Sequence, residues 1–362
     1  MTRRRTAVSA AVTLVLLASA TAGCTLKNTD EPGAAGSASA RAGGGTAELT
    51  DGSGTKVALV PGGAHPYFQP WKQAGAKAKK TLGLGDVTFD ETSEWDQQKQ
   101  NNLVSTLAAR GYNAFGVFGV SPTDINITFA DLKSQGFAVA SLASCPAGDK
   151  NEADFCLSTD VEIAAYKATK AAIEAMGGKG ALVHLTGNNV DANTQLRKRG
   201  VEKAVKESGG KVTLLQTVTD IDKDLQTAQK AVSDLLAAKG AKIQGIVSTA
   251  YNPAVAAAEA VHESGSKAKV VAIDDDAKIL SSIKNGSVSA TVAQNPVGQA
   301  EIGAWALALL QTKQCSMKRP GQIIDSGSFV VTKDNVTDYD DARKAKTAEL
   351  KKLFAQDVLS CG

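Results

Sequence analysis

The sequence predicts an α/β protein of two doubly wound parallel-sheet lobes with a cleft between them. Three observations point there. Short apolar runs rich in Val and Ile alternate with longer stretches of helical spacing, the pattern of repeated βαβ units. The alternation runs once, breaks near Cys145 to Thr159, and then runs again. Roughly 310 residues follow the amino-terminal leader and linker, which is ample for two cores and long for one.

The first run opens with Lys56 to Trp71, KVALVPGGAHPYFQPW, where a Val-rich strand meets turn residues at Pro61, Gly62 and Gly63 and then presents His65, Tyr67, Phe68 and Trp71. Aromatics make up only 5% of the chain, so this gathering at one strand end favours a site. Loops leaving the carboxyl ends of strands form the ligand crevice of open α/β sheets. A helix over Gln73 to Leu82, a strand over Val87 to Phe89, a helix over Trp95 to Arg110, a strand over Ala114 to Val120, a helix over Thr123 to Ser134 and a strand over Phe137 to Leu142 complete this half. The second run reads as helix Ile163 to Met176, strand Ala181 to Leu185, helix Ala192 to Glu207, strand Lys211 to Val218 and helix Lys223 to Ala238. It continues with strand Gly245 to Thr249, helix Ala254 to Glu263, strand Lys269 to Ile273 and helix Ala277 to Lys284. Strand Ser287 to Gln294, helix Val297 to Gln311, one strand over Gln322 to Val331 and a charged helix over Asp340 to Gln356 close the chain.

The amino terminus carries Arg3, Arg4 and Arg5, then an apolar stretch from Ala7 to Ala18, then Thr21-Ala22-Gly23-Cys24. This is an export signal over residues 1–23, too short and wrongly flanked for a membrane span. Its end resembles a bacterial lipoprotein lipobox, which implies cleavage before Cys24, lipid on the Cys24 thiol and anchorage to the outer face of the cell membrane. Residues 24–54, dominated by Gly, Ala, Ser and Thr, read as a flexible tether. The formal charge of +3, from 40 basic and 37 acidic residues, is supplied by Arg3 to Arg5 alone, so nothing favours a nucleic-acid partner. With Cys24 assigned to lipid, Cys145, Cys156, Cys315 and Cys361 remain. In an exported protein they suggest disulfides in one of three pairings. Cys145 with Cys156 closes a short loop and Cys315 with Cys361 pins the tail, which favours that pairing; free thiols are the other reading, and the spacings match no zinc site.

Several motifs stand in order along the chain: KVALV with HPYF, LAARGYNAFGVFGVSPTD, LRKRG, VVAIDDD and SATVAQNP. In these the chain resembles the type I periplasmic-binding-protein superfamily, in particular the ribose-binding-protein-like sugar-binding lipoproteins of ABC importers, over residues 55 to about 332. The resemblance implies two lobes joined by a hinge of three crossings, near Ser158, Gln294 and Gly321. The first lobe is then 55–158 plus 295–321 and the second 159–294 plus 322–362. It also implies a monomer that captures a sugar or polyol, closes around it and docks on a membrane permease.

By the same resemblance, the loop after the first strand sets His65, Tyr67 and Phe68 against the sugar, since apolar sugar faces pack on rings. Asp274 matches the family's sugar-binding aspartate, a carboxylate able to accept from two adjacent hydroxyls, while Asp275 and Asp276 suit a helix cap. Arg197 matches the arginine reaching in from the second lobe, where a guanidinium fork binds two hydroxyls or a ring oxygen. Gln294 matches a hinge-proximal glutamine, and Ser121 a family asparagine. Two departures stand out. A strand ending in Asp-Arg in the family appears here as Ser141-Leu142-Ala143-Ser144, which leaves Ser144 where a charged contact is expected, and a family asparagine is replaced by Ala250 before Tyr251. Trp95 and Tyr251 then supply stacking surface, and the pocket is less charged than a pentose site of that pattern.

An enzyme is not expected. The chain has no GxSxG elbow, HExxH or P-loop, and its histidines are His65, His184 and His262, with His184 inside an apolar strand. No cofactor and no metal are called for. A sensory binder that reports to a membrane receptor or sensor kinase needs the same closing cleft and stays open as an alternative to transport. A repressor-type regulator needs a DNA-binding segment where the export signal and tether stand.

Overall fold

The computed structural model describes residues 47–148 and 150–362. The expected signal peptide, the expected lipidation site Cys24 and residues 24–46 of the expected tether lie outside the described residues. The tether's expected end at residue 54 is corrected. Ala47 is buried in the first core with Leu49 packed beside it, and the Thr50 amide donates to Gln314 Oε1 at 3.0 Å. An apolar pair finds a hydrophobic surface to cover, so the packed chain begins by residue 47.

The first lobe runs β1 (Lys56–Val60), α1 (Gln69–Leu82), β2 (Asp86–Phe89), α2 (Gln97–Ala109), β3 (Ala114–Val117), α3 (Ile125–Ser134), β4 (Ala138–Leu142) and β5 (Phe155–Ser158). The second runs α4 (Val161–Ala175), β6 (Gly180–Leu185), α5 (Ala192–Lys206), β7 (Val212–Val218), α6 (Leu225–Lys239), β8 (Gly245–Ser248), α7 (Tyr251–Glu263), β9 (Lys269–Ile273), α8 (Ala277–Asn285) and β10 (Ala290–Ala293). The chain returns through α9 (Pro296–Gln311), β11 (Cys315–Met317), β12 (Gln322–Asp325), β13 (Phe329–Thr332), α10 (Tyr339–Leu353) and β14 (Leu359–Cys361). One six-stranded sheet has the order β12-β5-β4-β3-β1-β2 and the other β13-β10-β9-β8-β6-β7. All pairings in both are parallel except β10 with β13. Helices cover both faces, so the strands read as continuous apolar runs.

Local chemistry explains the element starts. Asp96, Asp160, Asp191, Asp224 and Asp276 each accept a backbone N–H at the beginning of a helix, satisfying donors that a first turn leaves unpaired. The helix expected from Trp95 therefore begins at Gln97, after its Asp96 cap. Those expected from Gln73 and Ala254 begin earlier, at Gln69 and Tyr251, because Pro70 and Pro253 are tolerated in a first turn. The connection expected over Cys145 to Thr159 contains a further four-residue strand, β5, which carries Cys156 itself.

One expected strand is two. Ile323 in β12 pairs with Cys156 of β5, whereas Val330 in β13 pairs with Val292 of β10. The third crossing therefore falls at Ser326–Ser328, not at Gly321. The three crossings are tied together: Thr159 Oγ1 lies 3.1 Å from Ser326 Oγ, and the Gln299 amide donates to both, at 3.4 and 3.0 Å.

The carboxyl-terminal segment, expected wholly in the second lobe, spans both. Val336 and Tyr339 sit in the second lobe's core, and the Tyr339 hydroxyl donates to Asp275. At the other end Leu350, Phe354, Val358 and Leu359 join the first lobe's core, with the Phe354 ring 5.3 Å from that of Phe155. β14 pairs antiparallel with β11, and disulfides join Cys315 to Cys361 and Cys145 to Cys156. Apolar side chains on α10 and beyond thus draw the tail back across the hinge.

Candidate functional site

The carboxyl ends of the strands in both sheets converge on a cleft of about 780 Å³. It is lined by nine of the ten expected residues: His65, Tyr67, Phe68, Trp95, Ser121, Arg197, Tyr251, Asp274 and Gln294. Ser144 is the exception. It is buried, its carbonyl accepts from the Ser141 hydroxyl at 2.6 Å, and Ala143 faces the cleft in its place. A wider hollow of about 1010 Å³ between α6 and α7 is bounded by Ile243, Gln244 and Lys269, at the amino edge of the second sheet. That edge is opposite the one where such sheets bind ligands.

Backbone geometry singles out the same cleft. Among the described residues, the non-glycine residues with positive φ are Glu94, Trp95, Ala143, Asp220, Asp274 and Lys313. All but Lys313 line it. Such conformations cost energy and concentrate at ligand clamps.

On the first-lobe side, His65 caps the short turn Pro66–Phe68, its Nδ1 accepting from the Tyr67 amide at 3.2 Å. That leaves the ring proton on Nε2, which faces Asp222 Oδ2 across the cleft at 3.4 Å. Phe68 is buried, with the rings of Trp71, Phe118 and Trp95 at 5.0, 5.2 and 6.2 Å. Trp95 stands on Phe118 edge to face at 5.8 Å. The Tyr67 hydroxyl donates to Gln299 Oε1 at 2.9 Å, linking the site to the knot of the hinge. Burial, reinforced by the Asp274 charge, raises its pKa well above the ordinary phenol range. Ser121 uses its hydroxyl locally, accepting from the Asp124 amide at 3.2 Å.

The second-lobe side is polar. Asp274 ends β9, 4% exposed, with φ 81°. The Thr291 hydroxyl donates to its carbonyl at 2.6 Å, and its own amide donates to Val292 O at 3.0 Å, which together hold this backbone. Gln294 Nε2 donates to Asp274 Oδ1 at 2.6 Å. Burial pushes the Asp274 carboxyl up to about 7, against the pull of Arg197 and with a further push from Asp275. Arg197 extends from α5 with a buried Nε that has no hydrogen-bond partner among the described residues. Asp191, which caps α5, is likewise raised by burial, with Arg197 opposing. Tyr251 opens α7, and its ring meets His65 at 5.8 Å from the opposite lobe. Asn193 Nδ2 also bridges the lobes, donating to Ala143 O at 3.2 Å.

Sequence reasoning missed Phe118, Asp191, Asp222 and Gln299. Phe118 and Asp222 follow the carboxyl ends of β3 and β7, so the strand-end rule had the power to find them. Gln299 lies inside the apolar α9 and carries no such signal. His184 is fully buried beneath the site, its Nε2 2.8 Å from Thr249 Oγ1, and burial lowers it to about 3, so it stays neutral.

A cleft between two lobes, walled by rings on one side and by a carboxylate, an amide and a guanidinium on the other, can hold a small polyhydroxylated ligand. Comparison with known proteins agrees with that architecture. Residues 57–314 match the periplasmic binding protein domain family, and the chain belongs to it. The D-allose-binding periplasmic protein of Escherichia coli (strain K12) is 26% identical over 267 residues, 70% of this chain and 83% of that protein. The ribose import binding protein RbsB of Bacillus subtilis (strain 168) is 25% identical over 234 residues, 64% of this chain and 73% of that protein. A periplasmic solute binding protein of an ABC transporter from Actinobacillus succinogenes 130z, solved with bound D-allose, superposes with a TM-score of 0.72 at 22% identity, covering 79% of this chain and all of the other. The relatives are solute-binding proteins, not enzymes.

Proposed function

We propose that the chain is an extracytoplasmic, lipid-anchored binding protein that captures a sugar or sugar-like ligand in its cleft and delivers it to an ABC importer. The observation that carries this reading is Asp274, a buried carboxylate raised to about 7 and held by Gln294, set opposite the rings of Phe68, Trp95 and Phe118. In this reading Asp274 accepts from ligand hydroxyls, Arg197 donates to them, and the rings cover the apolar sugar face. His65, Tyr67, Tyr251 and Gln294 complete the contacts, with Ser121 at the edge. Two relatives bear the names of allose and ribose binders, which supports the ligand class. A ligand that touches both lobes offsets the cost of closure. The anchor is lipid on Cys24, the docking partner is the importer's permease, and the protein works as a monomer.

A thermal-shift screen against D-allose, D-ribose, D-arabinose and common polyols tests the ligand class. Ligand at 100 times its Kd adds about 2.7 kcal/mol of stability, and a flat response to the whole panel sinks the sugar reading. Uptake of the bound sugar should fall in a deletion strain. Unchanged uptake favours the signalling role instead. Fatty-acid labelling that persists in Cys24→Ala rules out that residue as the anchor.

A further inference from the structure

We propose that the mouth of the cleft holds an apolar subsite built on Trp95 and Val190, and that the ligand is a sugar bearing an apolar substituent, an alkyl or aryl glycoside, in place of a bare monosaccharide. The inference rests on the sugar reading and goes beyond it.

Size is the first argument. A hexose has about 12 heavy atoms, and even at a water's share of about 30 Å³ each it occupies at most about 360 Å³. The cleft holds about 780 Å³, so a single sugar ring leaves more than half of it unfilled. Polarity is the second. The polar groups Asp274 and Gln294 are 4% and 3% exposed, at the deep end. Of the lining residues open to solvent, Glu94, Asn188, Asp220 and Lys223 are polar, while Trp95 at 47% and Val190 at 80%, with Val120 and Pro122 half-buried, form an apolar part of the mouth. Six large hydrophobics are exposed among the described residues, and these two line one cleft, contributed from opposite lobes. A sugar's hydroxyls gain nothing from such surface, whereas burying apolar area is worth about 25 cal/mol per Å².

Holding Trp95 there costs the chain backbone strain. Glu94 and Trp95 have φ of 54° and 59°, a conformation bulky side chains avoid. They are held by the Trp95 amide donating to Gly62 O at 2.7 Å, and by the buried Ser93 hydroxyl donating to the carbonyls of Pro61 and Gly62 at 3.0 and 2.8 Å. The indole lies so close on the loop that a Cβ at Gly62 or Gly63 would meet it at 2.8 or 2.7 Å. Strained backbone and absent side chains on the partner loop thus present an indole half open to solvent. Stability alone favours turning it into the core. An apolar occupant of the mouth accounts for the arrangement.

Calorimetric titration of the purified protein with D-glucose, D-galactose, D-allose and D-ribose, each beside its methyl and phenyl β-glycoside, tests the subsite. For at least one sugar the phenyl glycoside should bind at least tenfold tighter than the free sugar, with the methyl glycoside between them. The ratio of the two affinities should collapse toward one in Trp95→Ala and in Val190→Ser, and be restored in Trp95→Phe. Circular dichroism checks that each variant folds. A free sugar that binds as tightly as its phenyl glycoside overturns the subsite and leaves the sugar reading standing. A ratio unmoved in both Trp95→Ala and Val190→Ser also overturns it, returning those side chains to contact with a docking partner. Failure of every sugar and every glycoside to bind overturns both readings.

Discussion

The first-lobe wall of the cleft meets the ligand space with Phe68 and Trp95 each packed edge to face on Phe118, and its carboxylate, Glu94, is at the rim and paired with Lys99. The second-lobe wall instead brings Asp191, Asp222, Asp274 and Arg197, with the two carboxylates Asp191 and Asp274 raised by burial. Rings hold their shape through packing, so that wall is preformed. Charged groups out of water need partners: Asp191 and Asp222 accept from the amides of Asn193 and Asn252 and Asp274 from Gln294, whereas the Arg197 Nε has no hydrogen-bond partner among the described residues. The two lobes thus divide the labour: one supplies form and the other an electrostatic demand that a polar ligand can meet.

The sharpest way to break that division is Asp274→Ala. A hydrogen bond to a charged group contributes about 1.5–3 kcal/mol, and a carboxylate that accepts from two hydroxyls loses both. Affinity for the sugar found by screening should fall at least about 100-fold, while the melting temperature holds or rises because a costly buried carboxylate is gone. A loss under threefold would falsify the role given to Asp274. Arg197→Lys should cost less, about tenfold, since it keeps the charge and loses the planar fork. If titration instead gives wild-type affinity for this variant, the guanidinium is not a ligand contact.

How far this contrast was legible in the sequence follows from where each residue gets its role. Asp274 and Gln294 stand at strand ends inside ordered motifs, and the aspartates at helix starts carry a local signal, so the folded chain keeps them in place. The crossing at Ser326–Ser328 is marked only by Asp325-Ser326-Gly327-Ser328, a turn signal between two short apolar runs that equally suits a bend within one strand, and the pairing of β12 and β13 with different sheets separates the two. Ser144 was misplaced because Ala143 takes the left-handed turn that aims the loop. Gln299 was invisible in an apolar helix, yet it joins Tyr67 to the hinge. Asp222 stands between Asp220 and Asp224 with no motif around it, and its place opposite His65 comes from the packing of the two lobes. The return of α10 to the first lobe depends on where Phe354 packs, a property of the assembled lobes that no local pattern encodes.

Proton linkage should act through Asp274 of the second-lobe wall. An ordinary aspartate titrates near 3.9, and Asp274 is pushed up to about 7 by burial, with Arg197 opposing and Asp275 and Asp222 adding to the rise. The ligand-free native state therefore holds a proton that the unfolded chain has lost. Its stability should fall as pH rises from about 4 to about 7. Ligand binding runs the other way, because a hydroxyl donates to the ionised carboxylate. Affinity should rise with pH up to about 7 and level off above it, with a loss of about eightfold between pH 7.5 and pH 6 for one linked proton. Asp274→Asn should flatten both slopes, whereas Phe118→Leu should shift affinity by a constant factor at every pH. A wild-type affinity that does not change across this window would mean that the carboxylate is not what the ligand reads, and a slope that survives in Asp274→Asn would move the linked proton to another group.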